Sequence, residues 1–407
     1  MKIKEGIMIS VGIDVAKGKS TVCILKPFGE IVSRPFDIAH TEKDLSELAS
    51  MLLRFDDDVK VVMEATGIYH FPILTYLQGK GIFVAVINPY LMKIYRSSDL
   101  RKAKTDKIDA RIIANYGIDH WITMKEFHPS EDIYSELKLL GQQYRHYMKL
   151  HVMSLHELTH LLEYTMPGIK GLLASWDDVT RKDKLSDFVE SFWHCDIITA
   201  YSEQEFIIEY NQWAKKRKYR QSQDKAKKIY AMAQNSIPTL SADVPSTRML
   251  VTEAVRVLKE VDATLGVVLS RMQELAKTLP EYTVVREMGG VGEVLAPKLI
   301  AEIGDVRRFH SGKALIAYAG IDTPPYESGQ FVGKNRKITK RGSAALRKIR
   351  YETMRCVKAH PSSDNTVYQY IIKKEAEGKS KKATKIAGLN KFLRIYCARV
   401  KEVYMDL

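Results

Sequence analysis

The chain has 407 residues, 45% of them hydrophobic, and 63 Lys and Arg against 49 Asp and Glu give a formal net charge of +14. That length supports two or three domains with real cores, and the absence of any run of 18 or more apolar residues argues against a membrane span. The positive excess points to a polyanionic partner, nucleic acid before membrane because no long basic amphipathic helix stands out, and Cys23, Cys195, Cys356 and Cys397 are scattered without metal-ligand spacing.

The opening stretch, residues 8–22, sets the frame. A β-favouring apolar run ends in Asp14, and a Gly-containing turn and a second strand-like run, 21–25, follow. A lone carboxylate beside a core is costly unless a cation binds it, whereas the plain reading is a strand-end Asp that caps a turn. A third strand is expected at 30–38, then a helix opened by Thr41 with Asp44 in a weak capping box. A fourth strand, 59–63, ends at Glu64, and a helix with Pro72 near its start comes next. The fifth strand, 83–87, is closed by Asn88 and Pro89, and a further helix carries residues 104–111. The order βββαβαβα predicts an α/β, ribonuclease H-like N-terminal domain over 1–125. Its topology places strands one and four side by side, with Asp14 and Glu64 at one edge. Asp106 and Asp109, three residues apart, share a helix face. Taken alone that pair is an ordinary solvated face; with Asp14 and Glu64 it makes four converging carboxylates, a hard oxygen set suited to Mg²⁺ as a phosphoryl-activating ion.

The middle, 126–280, reads as a long coiled coil with a helical insert at about 165–245. Apolar positions recur at Ile133, Leu137, Leu140, Tyr144, Met148, His151, Leu155, Leu158 and Leu162, and again at Val251, Ala254, Leu258, Val261, Leu265, Val268, Met272, Leu275 and Leu279. His151 is read as a seam residue, not a ligand. In the insert, Trp176, Phe188, Phe192 and Trp193 suggest a small core, and the basic run 214–220 is either a solvated face or a phosphate contact with Tyr219 stacking on a base.

The C-terminal part, 281–407, is expected to be mostly α, opening with a helix-hairpin-helix at 287–304 whose Gly290 and Gly292 would offer backbone N–H groups to phosphate. A Pro- and Gly-rich loop, 318–330, leads into residues 334–350, which hold eight basic side chains, including Lys334, Arg336, Lys337, Lys340, Arg341 and Arg347, and no acidic one. Such charge draws in a phosphodiester, and a loop hydroxyl beside it could attack phosphorus. Ser328 is the exposed candidate, Tyr326 a weaker one, and Ser343 reads better as a helix N-cap.

The ordered set of residues 12–17 (GIDVAK), 64–69 (EATGIY), 104–110 (KTDKIDA) and the Ser328 to Arg347 stretch resembles the IS110/IS1111 family of insertion-sequence transposases. The resemblance covers 8–116 and 285–355 well and the long helices in outline. It implies a RuvC-like N-terminal domain with a DEDD tetrad on Asp14, Glu64, Asp106 and Asp109, and a serine nucleophile on Ser328. It further implies donor and target DNA, a structured bridge RNA, and a homo-oligomer, dimer assembling to tetramer, in which one protomer's acids and Mg²⁺ work beside another's serine through a phosphoserine link and a Holliday junction. A cytoplasmic, nucleoid-associated location is expected, the start of the chain carrying no secretory pattern. The insert does not match the family's compact pattern. Two other readings stay open: a metal-dependent junction nuclease without serine chemistry, and a non-catalytic architectural nucleic-acid binder.

Overall fold

The computed structural model describes residues 8–97, 105–128, 132–173, 183–324, 327–328, 331–332 and 337–405. The chain divides into two compact units, Met1–Pro129 and Ser130–Leu407.

The first unit is a five-stranded mixed sheet with helices on both faces. Strands β1 (Met8–Val15), β2 (Lys19–Leu25) and β3 (Ile31–Ala39) form an antiparallel meander, and β4 (Asp58–Glu64) and β5 (Phe83–Ile87) add in parallel, giving the order β3-β2-β1-β4-β5. This is the ribonuclease H-like arrangement expected, and it seats β1 beside β4 with Ile13 opposite Met63. The helices are α1 (Glu42–Leu53), α2 (Phe71–Gly79), α3 (Pro89–Ser97) and α4 (Asp106–Asp119). Helix α3 was absent from the expected order.

The period of two along a strand sorts the residues between the faces. Ile9, Val11, Ile13 and Val15 bury against Leu45, Leu48 and Leu52 of α1 and Ile73, Leu74 and Leu77 of α2, together with Val61 and Met63 of β4. The even residues, Ser10, Gly12 and Asp14 of β1 and Val62 and Glu64 of β4, belong to the other face. There Val62 packs with Met92 of α3 and Ile113 of α4, and the Ser10 hydroxyl donates to the Ala114 carbonyl at 2.7 Å.

The second unit is almost wholly helical. Helix α5 (Asp132–Thr165) is followed by the insert helices α6 (Ile169–Leu173), α7 (Lys184–Ser191), α8 (Cys195–Thr199), α9 (Glu203–Lys216) and α10 (Gln223–Asn235), and the chain returns through α11 (Pro245–Lys277). The pairs Glu136 with Arg271 and His151 with Asp262 fix α5 and α11 as antiparallel. The buried residues of α11 are Val251, Val255, Leu258, Asp262, Leu265, Leu269, Met272 and Ala276, while Ala254, Val261, Val268 and Leu275 are half-buried. The stripe is therefore wider than the expected seam and centred one residue on, with a carboxylate inside it. His151 is in that stripe as expected, held by Asp262 at 2.5 Å.

The insert builds the small core expected of it: Phe188, Phe192 and Trp193 join Phe206, Tyr210 and Trp213 around the distal ends of α5 and α11. Trp176 lies outside the described residues. Beyond α11 come α12 (Tyr282–Arg286), α13 (Leu295–Ile303), α14 (Gly312–Tyr318), the two-residue strands β6 (Glu327–Ser328) and β7 (Phe331–Val332), α15 (Ala344–Ala359), α16 (Thr366–Ala376) and α17 (Lys381–Met405). Their core is continuous with the proximal halves of α5 and α11. Among the described residues no helix is long and apolar enough to cross a membrane.

Candidate catalytic site

Strand parity decides where the acids go. Asp14 and Glu64 close β1 and β4 on the even face, which α3 and α4 cover. Helix α4 starts where it does because Thr105 caps it, its side chain accepting the Ile108 N–H. From that start Asp106, Asp109, Ala110, Ile113 and Ala114 lie along the sheet-facing side. The helix can sit this low only over glycine: a β-carbon on Gly12 would collide with the Ala110 carbonyl oxygen and the Ala114 nitrogen, and one on Gly117 with the Ser10 hydroxyl. Asp109, 6% exposed, is thereby pressed toward the end of β1.

The acids sense one another. Burial, then the charges of Asp109, Asp106 and Glu64, raise the Asp14 carboxyl from its ordinary 3.8 to about 6, and Arg96 opposes the shift. Arg96, in the last turn of α3 and one helical turn beyond buried Met92, holds two of the four: its Nη2 lies 3.2 Å from Glu64 Oε2 and its Nε 3.8 Å from Asp109 Oδ1.

Four oxygen-only donors carrying excess negative charge match a hard divalent cation in chemistry. Their spacing is that of an ion-paired cluster: among the described residues no three carboxylate, imidazole or thiolate groups stand close enough together to ligate one ion.

In the second unit the basic segment is rooted on the end of α14. Lys340 N–H donates to the Gly320 carbonyl at 3.0 Å, Thr339 N–H to Asp322 at 3.0 Å and Ser343 N–H to Tyr318 at 2.8 Å. Glycine is required on both sides of this contact, since a β-carbon on Gly320 or Gly342 would meet the other strand's backbone. Arg347 locks the root by donating to the Ala319 and Gly342 carbonyls at 3.1 and 2.9 Å, so this cation serves the loop. Lys337, Lys340 and Arg341 are exposed; Lys334, Arg336 and Tyr326 lie outside the described residues. Ser328 pairs with Phe331 across the short β6–β7 ladder between the two ends of the root. Ser343 is the N-cap of α15, its hydroxyl accepting the Leu346 N–H at 3.0 Å.

Helices α12 and α13 lie on either side of the glycine turn. Gly290 has φ +83° and would strike Val357 if substituted, whereas Gly292 faces open space. The turn lines a cleft of about 1250 Å³ together with Arg145, Lys298, Lys348 and Arg355. In the insert, Tyr219 is committed internally: its ring stacks on Trp213 and its hydroxyl donates to Asp187 at 2.8 Å, while Arg217 pairs with Glu190. The base-stacking alternative for Tyr219 gives way to a structural role.

Residues 11–167 match the DEDD transposase model of the IS110 type, and residues 282–369 match the model for transposases of the IS116/IS110/IS902 family. The two matches together span more than half of the chain and flank the insert. The chain belongs to the IS110 family of transposases. It is thus an enzyme that cleaves and rejoins DNA. It is 21% identical over 395 residues to the pilin gene-inverting protein of Moraxella bovis, covering 96% of this chain and 95% of that one. It is also 21% identical over 378 residues to the insertion element IS116 44.8 kDa protein of Streptomyces clavuligerus, covering 91% and 89%. Two structures of Thermus thermophilus RuvC, one in complex with a Holliday junction substrate, each align with 30% of this chain at 12% and 14% identity, with TM-scores of 0.22 and 0.24.

What the sequence did not give away in this transposase is Arg96. Asn88-Pro89 reads as a turn closing a strand, but Pro89 is the first residue of α3. The available signal was Met92 and Arg96 at i, i+4 after that proline.

Proposed function

We propose that this transposase exchanges DNA strands with two chemistries, an acid tetrad at Asp14, Glu64, Asp106 and Asp109 and a nucleophile at Ser328, guided by a structured bridge RNA. The observation that carries the reading is the half-buried Asp14 carboxyl, raised by burial and by three other acids that strand parity and the low seat of α4 bring near it. Such a cluster facing a polyanion repels it unless a cation intervenes, and a bound Mg²⁺ would supply Lewis-acid polarisation of the scissile phosphoryl oxygen. The chain's own residues would hold that ion through the four carboxylates, orient the phosphodiester and exclude bulk water from the edge of the sheet.

The Ser328 hydroxyl attacks phosphorus, losing its proton to solvent or a neighbouring carboxylate. A P–Oγ bond replaces one P–O bond of the backbone and a DNA hydroxyl departs. Attack by a hydroxyl of the other duplex reverses the exchange and regenerates serine, so no co-reactant is needed. Lys337, Lys340 and Arg341, with Lys334 and Arg336, steer and neutralise the backbone. The Gly290–Gly292 turn and the cations of its cleft offer further phosphate contacts. A relative named for inverting a gene segment fits such conservative exchange. The family resemblance supports the finer picture: a dimer assembling to a tetramer, acids and serine supplied by different protomers, a Holliday-junction intermediate, donor and target DNA paired to bridge RNA, and a cytoplasmic, nucleoid-associated setting.

The test is to trap protein on labelled donor DNA in the presence of Mg²⁺ and guide RNA, denature, and resolve the adduct. The wild type should give a denaturation-resistant adduct whose peptide map ends at Ser328, and Ser328→Ala and Asp14→Ala should give none. Metal-dependent cleavage without any adduct would indicate a hydrolytic junction nuclease. Binding without metal-dependent breakage would indicate an architectural protein.

A further inference from the structure

The acid cluster contains a cation of its own. Arg96 lies across the two carboxylates that close β4 and open α4, pairing with Glu64 and Asp109. Among the described residues it is the basic side chain that acts on Asp14, lowering its carboxyl against the acids. Its hold is loose, since its Nε is buried and makes no hydrogen bond, and 3.8 Å to Asp109 is an ion pair without a proton bridge. The side chain as a whole retains 27% of its exposure at the end of a short helix. A divalent ion bound by the tetrad needs the same oxygens of Glu64 and Asp109. The guanidinium and the ion cannot both have them, and with the guanidinium in place no three acids stand at ligating distance.

We propose that Arg96 is the counter-ion of the metal-free site and is displaced when a divalent cation enters, so that it competes with the metal for Glu64 and Asp109. This rests on the acid tetrad being the metal site. One positive charge on four acids leaves the cluster undercompensated, which explains why a +2 ion wins despite the resident guanidinium. The competition also keeps the acids apart and assembled until the ion arrives. Removing Arg96 therefore improves metal affinity and weakens the metal-free fold.

The test is Mn²⁺ binding to the full chain, followed by calorimetry and by the electron spin resonance of free Mn²⁺, without nucleic acid. Arg96→Gln should bind Mn²⁺ about fivefold more tightly than wild type, the factor for a partly exposed ion pair worth about 1 kcal/mol. Arg96→Lys, which keeps the charge, should bind like wild type. The melting temperature of Arg96→Gln should fall without metal and recover with it. Unchanged or weaker Mn²⁺ binding by Arg96→Gln overturns the proposal. Should Arg96→Gln fail to fold, Arg96→Lys carries the test: its exposed ammonium forms no guanidinium fork, and Mn²⁺ binding more than about threefold weaker than wild type would overturn competition. Asp109→Asn separates the two readings. If it leaves Mn²⁺ binding intact, the tetrad is not the metal site and both fall. If it abolishes binding while Arg96→Gln has no effect, only the role of Arg96 falls.

Discussion

Gly12 of β1 lies directly beneath Ala114 of α4, with no room between them for a methyl group. The neighbouring Ser10 hydroxyl donates to the Ala114 carbonyl, so a strand side chain is fastened to the helix backbone four residues before Asp14. The acid cluster depends on this closeness, since any lift of α4 carries Asp106 and Asp109 away from the end of β1.

Gly12→Ala should accordingly destabilise the first unit by about 1–3 kcal/mol, the usual penalty of overpacking, and should lower strand cleavage far more than that loss implies. A thermal melt and a single-turnover cleavage assay on the same preparation check both parts. Wild-type cleavage in a folded Gly12→Ala protein would show that the seat of α4 does not set the acids.

Replacing Asp14 should stabilise the metal-free protein. The folded-state Asp14 carboxyl binds its proton more tightly than the unfolded 3.8, at about 6. The folded state therefore holds a proton that the unfolded state has already lost between pH 3.8 and 6, so the cost of Asp14 builds across that window and is complete above it. With chelator present, Asp14→Asn should be more stable than wild type at pH 7.5 by on the order of 1–2 kcal/mol, allowing for partial exposure. The difference should shrink to about a third of that near pH 4.5 and vanish only below the unfolded value of 3.8. Chemical denaturation at the two pH values reads this directly. A wild type as stable as Asp14→Asn at pH 7.5 would mean the acids do not interact.

Ser343 and Ser328 should part company. Ser343→Ala removes the cap of α15 and should lower stability by about 1 kcal/mol, while the DNA adduct still forms. Loss of the adduct in a folded Ser343→Ala protein would move the nucleophile to the cap.

The His151–Asp262 pair, both about 90% buried in the helix stripe, should behave as a unit. Asp262→Leu alone leaves an imidazole without its carboxylate and should cost about 3 kcal/mol, whereas His151→Leu with Asp262→Leu should recover most of it. Urea melts of the three variants provide the cycle, and strict additivity would show that the pair carries no coupling.

The strands of the first unit were legible because their apolar runs end on turn residues and carboxylates, and Asp14 and Glu64 announce the topology by closing two such runs. Helix α3 was hidden because Pro after Asn serves equally well to stop a strand or to start a helix. The shift of the α11 stripe has another cause: Asp262 looks solvent-facing in a sequence, and only its partner 111 residues earlier makes it a core residue. Arg217 and Tyr219 sit in a basic run, yet acids of α7 and a tryptophan of α9 absorb them, and such pairings leave no local spacing to read. The N-cap at Ser343 was readable because capping is set by a few adjacent residues.

The hydrogen bonds between residues 318–322 and 339–343 tie down both ends of the arm that carries Ser328. Six Cα–Cα steps lead from Asp322 to Ser328, so the hydroxyl can travel no more than about 20 Å from that anchor, however the intervening chain bends. A serine on so short a leash cannot go out to find a phosphate. Were Ser328 the nucleophile, as proposed, the DNA and the acids that act on it would have to be brought to the foot of α14, and the geometry of assembly rather than the reach of a loop would decide when a strand is cut.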